Sequence, residues 1–237
     1  MSKCQLSVIV PVLNEEAGIS ALIHALCKQM TLEQELLLVD GGSSDGTWQR
    51  IQHIKSQYSD KTVISLQSPP GRARQMNAGA ARARGDRLLF LHADSRIEPG
   101  LLASLCAPWQ RCWGRFDIYL DASAKVFRLI ETLINLRSRL SGIATGDQGL
   151  FVEREVFEAV GGFPAQPLME DIELSKRLKR HSRPWCIRQP KLGTSARKWQ
   201  QEGVWRTIWL MWRLRAAYAL GAKPEKLVEA YYQKRNA

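Results

Sequence analysis

Two segments of this sequence place acidic residues directly after short apolar runs. The segment LLFLHAD turns polar at His92, and Asp94 follows two residues later. The segment LLLVDGGSSDGT has an acid at each end of a glycine-rich loop, Asp40 and Asp45. Histidine and carboxylate groups at the tips of buried segments can bind cations, hold hydroxyl groups or transfer protons. The chemistry of this protein is therefore expected at such tips.

The segments before and between these tips alternate between strand and helix patterns. Short apolar runs, typical of strands buried on both faces, occur at 6–11, 35–40, 62–67 and 87–94. Apolar residues at three- and four-residue spacing within 16–30 predict a helix between the first two runs. Strands that alternate with helices predict an α/β fold, in which a mainly parallel sheet is flanked by helices.

In such a sheet, ligands bind beyond the carboxyl ends of the strands. Residues 11–16, 40–45 and 92–94 are therefore expected to share one edge. Asp, Ser and Gly also suit ordinary turns between strands and helices, and that alternative explains any single loop equally well. Three strand ends in a row that carry carboxylates favour a binding site.

The second half of the chain is less regular. The patterns predict a strand at 116–121, a helix at 125–140, a strand at 146–153 and a helix at 169–180. We also expect Asn14 to cap the first helix and Gly85 to close the helix that begins near residue 72.

Composition limits the class of protein. The chain has 237 residues, and 34 basic against 23 acidic residues give a net charge of +11. This surplus suits an anionic partner and equally serves solubility. Five cysteines without a CxxC pair favour reduced thiols, the N-terminal pattern is not that of a signal peptide, and no run of 18 uncharged apolar residues predicts a membrane span. A cytoplasmic protein is expected.

The loop DGGSSDGT indicates how a nucleotide would bind. It lacks both GxGxxG and a P-loop lysine, so a dinucleotide or Walker site is not expected. Its acids suit ribose hydroxyls and the N–H of a base, whereas phosphates need a cation. Asp94 can hold Mg²⁺ or Mn²⁺, and Arg72 and Arg74 can add fixed positive charge.

Five motifs occur in a characteristic order: SVIVPVLNEE, LLLVDGGSSDGT, GRARQMNAGAARARGD, LFLHADS and MEDIELSKRL. This order and spacing resembles that of the family 2 inverting glycosyltransferases, which have the GT-A fold, over about residues 5–180. The HAD variant, with GDQG and the RKW tail, is similar to a bacterial subgroup linked to arsenosugar biosynthesis.

The resemblance implies a nucleotide-sugar donor, with a UDP-sugar expected, and a divalent cation, Mg²⁺ or Mn²⁺, on Asp94. It implies that Asp171 is the catalytic base beside Glu170. From their position in the GDQG segment, Asp147 and Gln148 are expected near the acceptor. The resemblance assigns nucleotide binding to Pro11, Asn14, Glu15, Glu16, Asp40, Asp45, Arg72, Arg74, Asn77, His92 and Ala93.

Three roles stay open at this point. His92 replaces the first acid of the family's DxD motif, so it can contact the donor, ligate a softer metal or only cap the strand. Asp147 is either a turn former or an acceptor contact. The acids at 170–173 also suit the first turn of any helix, although the upstream motifs favour Asp171 as base. Burial and neighbouring acids would raise the pKa of Asp171 toward a value useful to a base.

We expect a catalytic domain at 1–195, with a nucleotide-binding half at about 1–95 and an acceptor half at about 96–195, and a helical extension at 196–237. Arginines and tryptophans alternate in the extension. They suit either a helix on an anionic membrane, which would make the protein peripheral on the cytoplasmic face, or a helix packed on the domain. Arg197 or Lys198 could also reach the donor diphosphate.

The sequence therefore predicts a glycosyltransferase that moves a sugar from a nucleotide-sugar to a hydroxyl of a lipid-linked or small-molecule acceptor. Two alternatives remain: a sugar nucleotidyltransferase, which would need an Arg- and Lys-bearing glycine loop after the first strand, and a non-catalytic protein that binds membranes or nucleic acid. No sequence signature of a nucleic-acid-binding protein is present, and nucleic acid is not expected as a partner.

Overall fold

A computed structural model describes residues 5–232, without the side chains of residues 198, 201, 202, 229, 230 and 232. The strands are β1 (Leu6–Val12), β2 (Gln34–Asp40), β3 (Thr62–Gln67), β4 (Arg87–Phe90), β5 (Arg96–Ile97), β6 (Trp113–Leu120), β7 (Leu150–Glu153) and β8 (Trp185–Thr194). The helices are α1 (Glu16–Gln29), α2 (Thr47–Gln57), α3 (Arg72–Arg82), α4 (Leu101–Ser104), α5 (Lys125–Ser141), α6 (Arg154–Ala159), α7 (Glu170–Leu178), α8 (Arg197–Glu202), α9 (Val204–Ala219) and α10 (Pro224–Tyr232).

The eight strands form one sheet in the order β3-β2-β1-β4-β7-β6-β8-β5. Strands β1 to β4 pair in parallel, as the alternating pattern predicts. Strand β7 pairs antiparallel with both β4 and β6, and β5 pairs antiparallel with β8. Strands β6 and β8 pair in parallel, so the sheet is mixed, with four parallel and three antiparallel pairs, and the predicted mainly parallel sheet flanked by helices is confirmed.

The core lies on both faces of this sheet. One face packs against α1 and α2 through fully buried residues such as Val10, Ile23 and Ile51. The other face packs against α3, α6 and α7 through Met76, Phe157 and Leu174 among others. Because both faces are covered, the apolar runs of β1, β2 and β4 contain almost no exposed side chain, as expected for central strands.

Several predicted boundaries are wrong for local reasons. Helix α1 begins at Glu16, and Asn14 does not cap it because its side chain bonds to the loop after β2. Helix α3 ends at Arg82 because Ala83 turns to an extended conformation two residues before Gly85. Residues 146–148 form a short 3₁₀ helix, with a capping box between Thr145 and Gln148, and the strand begins only at Leu150.

The C-terminal helices pack on the preceding elements. Leu210 and Leu214 of α9 are buried in a cluster with Met169 and Ile172 of the α7 region. A helix packed on the domain is one of the two predictions for this segment, and it is confirmed for one face of α9. Within residues 5–232, no helix is long and apolar enough to cross a membrane.

Candidate active site

The loops that follow β1 and β2 are joined into one rim. Asn14, with φ 53°, accepts a hydrogen bond from the backbone N–H of Ser44 at 2.8 Å through Oδ1. The backbone N–H of Asn14 donates to Ser43 Oγ at 2.9 Å, and that of Glu15 donates to Thr47 Oγ1 at 2.9 Å. The predicted meeting of the first two strand ends is thus present, with Asn14 at its centre.

Asp40 shapes the loop that follows β2. Its buried carboxylate accepts hydrogen bonds from the backbone N–H groups of Gly42 and Ser43, each at 3.1 Å, and from the Ser43 hydroxyl. Gly42 has φ 86°, a conformation that glycine adopts without strain. Asp40 therefore holds a tight turn, and any contact with a nucleotide would add to these bonds.

Asp45 and Glu16 lie at the exposed end of the same rim. Asp45 accepts from the Thr47 backbone N–H at 3.0 Å, from the Thr47 hydroxyl and from the Glu16 backbone N–H at 3.3 Å. The hydrogen bond from the Thr47 side chain is the largest cause of the lowered pKa of Asp45. Glu16 accepts from the Gly46 backbone N–H at 3.2 Å and pairs with Arg50 at 3.5 Å.

A cleft of about 220 Å³ opens beside this rim and is lined by Glu15, Ala93, Asp94 and Arg197, among others. A more open space of about 550 Å³ shares Glu15 and Arg197 and extends over Asn14, Glu16 and Asp45. Burial raises the pKa of Glu15, and the Asp94 carboxylate raises it further, while the Arg197 charge lowers it. Arg197 of α8 thus supplies a cation near the Glu15 and Asp94 carboxylates, and Arg96 also lines the cleft. The Lys198 side chain lies outside the described residues.

Asp94 connects the two halves of the chain. Burial raises its pKa, and the carboxylate of Asp147 acts in the same direction, whereas the charges of Arg72 and Arg197 lower it. Asp94 and Asp147, predicted for different halves, are therefore close enough to interact. Arg72, the first residue of α3, lies between them and the acids of α7.

His92 packs against the backbone of Gly146. Burial lowers its pKa to about 3 and the nearby Arg72 charge acts the same way, so the ring is neutral at physiological pH. Its Nε2 is buried and has no hydrogen-bond partner in the described part of the chain. A Cβ at position 146 would collide with this nitrogen, so only glycine fits there. His92 therefore has a buried ring nitrogen that no described residue satisfies, beside Gly146.

The acids of α7 lie on the other side of Gly146. Asp171 accepts the Gly146 backbone N–H at 2.8 Å and the Ile172 backbone N–H at 2.7 Å, and burial raises its pKa despite these bonds. Glu170 is buried and pairs with Arg72 at 3.5 Å. Burial, and then the Asp171 charge, raise the pKa of Glu170 to about 7. The Glu170–Asp171 pair is therefore suited to accept a proton near neutral pH.

Four predicted residues are placed away from these groups or engaged elsewhere. Pro11 is buried inside β1 opposite Val39. Asn77 exchanges two hydrogen bonds with the Phe163 backbone, at 2.8 and 3.0 Å, and so fixes the loop before α7. Arg74 is exposed on α3. Gln148 uses Oε1 to accept from Thr145, although its buried Nε2 has no partner among the described residues.

Sequence reasoning missed Arg137 of α5. Burial lowers its pKa, while Asp147 and Asp171 raise it, so its guanidinium lies close to both acids. It donates to Thr145 Oγ1 at 3.4 Å, and its buried Nε has no partner in residues 5–232. The available signal was an arginine seven residues after the buried Ile130, on the inward face of an amphipathic helix.

The residues around Asp94 fit a hard divalent cation, which prefers oxygen ligands. No group of three or more His, Cys, Asp or Glu side chains in the described chain is arranged to hold a metal ion. Asp94 supplies carboxylate oxygens, with Asp147 and Glu15 nearby. Mg²⁺ is often held by one or two carboxylates together with substrate phosphates and water. The donor set thus fits a hard cation that binds jointly with a diphosphate.

Comparison with known families agrees with this geometry. The model of the family described as Glycosyl transferase family 2 matches residues 7–153. The match includes the strand ends with Asp40, Asp45 and Asp94, and it extends to Asp147 and Gln148. It ends before Glu170.

A relative named undecaprenyl-phosphate 4-deoxy-4-formamido-L-arabinose transferase, from Pseudomonas fluorescens, is 29% identical over 153 residues. The matched residues are 60% of this chain, and the match covers only 44% of the relative's length. Among solved structures, S. aureus TarS 1-349 in complex with UDP has a TM-score of 0.66 at 20% identity, and the match covers 81% of this chain and 60% of that one. The Pyrobaculum calidifontis mannosyltransferase PcManGT, in complex with GDP-Man and Mn²⁺, has a TM-score of 0.65 at 20% identity, with 98% and 70% covered.

Proposed function

Because the chain belongs to glycosyl transferase family 2 and has the GT-A fold, we propose that it is an inverting glycosyltransferase that uses a nucleotide-sugar, with a UDP-sugar as the expected donor. One observation carries the proposal. Asp94, two residues after His92, and Asp171, which accepts the Gly146 backbone N–H, both interact with the Arg72 charge, and His92 packs against Gly146. These contacts support the proposal that the leaving diphosphate and the base occupy neighbouring positions.

On the donor side, the joined loops present their rim to the nucleotide. Asn14, Asp40 and Asp45 hold the loops in one conformation, so the nucleotide meets a preformed edge. Arg72 and Arg197 place positive charge near Asp94. Asp94 would hold a divalent cation, Mg²⁺ or Mn²⁺, which when bound stabilises the negative charge that develops on the leaving diphosphate.

On the acceptor side, Asp171 removes the proton of the attacking hydroxyl. Its carboxylate is oriented by the Gly146 backbone N–H, and burial raises its pKa, which makes it a stronger base than an exposed aspartate. Attack from the face opposite the diphosphate inverts the anomeric carbon. The proposal also gives the neutral His92 ring a contact with the donor sugar, supported by its buried Nε2, which has no partner among the described residues.

The acceptor belongs to the same proposal. The relative from Pseudomonas fluorescens is named for undecaprenyl-phosphate, which makes a lipid-linked acceptor a reasonable first candidate beside a small molecule. Peripheral contact of α9 with the cytoplasmic face of a membrane is consistent with such an acceptor. The subgroup linked to arsenosugar biosynthesis, and the division into a domain at 1–195 with an extension at 196–237, stay predictions.

The test is calorimetric titration of the full chain with UDP, GDP, CDP and dTDP, each with and without Mn²⁺. We expect one nucleotide to bind in a metal-dependent manner. Asp94→Ala should abolish this dependence, and Asp60→Ala, which changes an exposed acid that pairs with Lys61 far from the cleft, should leave it unchanged. Absence of nucleotide binding under every condition would refute the proposal.

A further inference from the structure

Helix α5 exposes a continuous stripe of leucines. Leu129, Leu133, Leu136 and Leu140 follow one another at four-, three- and four-residue spacing, so they lie on one face of the helix. Their exposed fractions are 56%, 53%, 46% and 79%. The opposite face of α5, with Phe127 and Ile130, is buried. A helix that buries one apolar face and exposes another has room for a second apolar neighbour.

Helix α9 has the same arrangement with larger side chains. Trp205, Trp209 and Trp212 lie on one face and are 75%, 61% and 73% exposed. Leu210 and Leu214 on the opposite face are buried against the α7 region. The packing of α9 on the domain therefore leaves its tryptophans uncovered.

The two helices are neighbours. Phe127 and Ile130 of α5 form a cluster against which Val204 and Ile208 of α9 pack. Near this contact, α5 and α9 both turn their buried faces toward the rest of the protein. The leucine stripe and the tryptophan face therefore both point outward. We call the seven side chains of these two faces the Leu-Trp surface.

The two helices of the Leu-Trp surface expose no acidic side chain. Helix α9 contains no acidic residue, and the single acid of α5, Glu131, is buried. Both helices present exposed cations, and Arg213 lies over the ring of Trp209 at 5.1 Å from its centroid. The cations without an acidic partner in the described part of the chain are Lys125, Arg206 and Arg213, whereas Arg128 and Arg139 pair with the buried Glu131 and Asp117. Tryptophan and leucine bordered by cations suit the interface of an anionic bilayer.

We propose that the Leu-Trp surface binds an anionic lipid bilayer, with α5 of the catalytic domain and α9 lying on it together. A second copy of this chain fits less well, since equal rims of cations would face each other. The proposal extends the peripheral membrane contact suggested above, since it adds α5 to α9. On another face, α5 carries Arg137, which lies beside Asp147 and Asp171. A bound bilayer would therefore lie close to the acceptor side of the site. Binding to lipid requires neither the nucleotide-sugar donor nor transfer of the sugar.

The test is flotation of the full chain with vesicles of phosphatidylcholine alone and of phosphatidylcholine with 30 mol% phosphatidylglycerol, about the anionic content that attracts basic interfacial helices. We expect binding only to the anionic vesicles. Leu129→Gln with Leu133→Gln, and separately Trp209→Gln with Trp212→Gln, should each weaken partition by about tenfold or more. Leu32→Gln changes a leucine that is 77% exposed elsewhere on the molecule and should bind as the wild type does.

Three results would overturn the proposal. These are no flotation of the wild type, loss of flotation in the tryptophan pair but not in the leucine pair, or a dimer in light scattering that both pairs convert to monomer. Nucleotide titration of each variant separates this proposal from the previous one, since normal nucleotide binding with lost flotation assigns the defect to the surface alone. Circular dichroism melting confirms that the variants fold.

Discussion

The donor rim and the catalytic centre use polar groups in opposite ways. On the rim, Asn14, Asp40 and Asp45 each accept hydrogen bonds from neighbouring backbone N–H groups. At the centre, buried nitrogens of His92 and Arg137 have no partner in the described part of the chain. The pKa of Asp45 is lowered by its hydrogen bonds, whereas the pKa of Glu170 is raised to about 7 by burial.

This difference shows where each region gains its specificity. A rim whose polar groups satisfy one another is stable without ligand and presents a fixed shape. Buried groups without partners cost free energy in the empty protein, and this cost falls when a substrate supplies the missing bonds. We expect changes on the rim to affect folding and nucleotide binding, and changes at the centre to affect the rate of transfer.

The largest effect is expected at Asp171. Asp171→Asn should lower kcat by about 10²–10⁴-fold, the usual contribution of a general base, while nucleotide affinity stays near that of the wild type. Steady-state kinetics and calorimetry measure the two quantities. Glu173→Gln, on the same helix but paired with Lys176 and Arg177, is the matched control. A fall in nucleotide affinity with unchanged kcat would place Asp171 on the rim instead.

Asp40 tests the rim. Asp40→Ala leaves the backbone N–H groups of Gly42 and Ser43 without their acceptor, so we expect a loss of about 1–3 kcal/mol in the free energy of unfolding. Nucleotide affinity should fall as well, because the loop loses its fixed shape. Urea denaturation measures the first change and calorimetry the second. Full stability in the variant would show that Asp40 does not organise this loop.

Gly146 tests the close contact at the centre. In Gly146→Ala the new methyl group would collide with His92 Nε2, and overpacking of this kind costs about 1–3 kcal/mol. Adding His92→Ala removes the ring and should restore part of the stability, although not the activity. Thermal melting of the single and double variants checks this. Equal stability of the single and the double variant would mean that the His92 ring moves aside freely.

We expect the Glu170–Asp171 pair to set the pH dependence of the rate. With a pKa of Glu170 of about 7, kcat/KM should rise with pH and level off above that value. Glu170→Gln removes a like charge beside Asp171, so the midpoint of the rise should move to lower pH. Rates between pH 5 and 9 at constant ionic strength are the measurement. An unchanged midpoint would exclude Glu170 from the titration.

The smallest effect concerns stability. The folded protein holds the proton of Glu170 more tightly than the unfolded chain, whose ordinary value is 4.5, so the free energy of unfolding falls as pH rises from 4.5 toward 7. Glu170→Gln resembles the protonated form and should melt about 2–4 °C above the wild type at pH 8. The gap should close toward pH 4.5. A variant that melts lower at pH 8 would mean that the Arg72 ion pair outweighs burial.

Much of the donor half could be predicted from the chain. Its apolar runs are short, uninterrupted and bounded by turn residues, so β2 and β3 were located to within one residue. The shared edge followed from the rule for parallel strands, and the joined loops at Asn14 and Ser44 confirm it. The sequence predicts a strand at 146–153, but not the antiparallel direction of β7, since pairing direction depends on distant partners rather than on the pattern of a single strand.

The sequence by itself determined the family, the order of the first strands and the types of groups at their ends, because these depend on local patterns. Only the tertiary structure decided the state of those groups. The neutral ring of His92, the raised pKa of Glu170 and the closeness of Arg137 to Asp171 all depend on burial and on charges from distant segments. Since both burial and Coulomb interactions depend on three-dimensional distance, no spacing along the chain contains them.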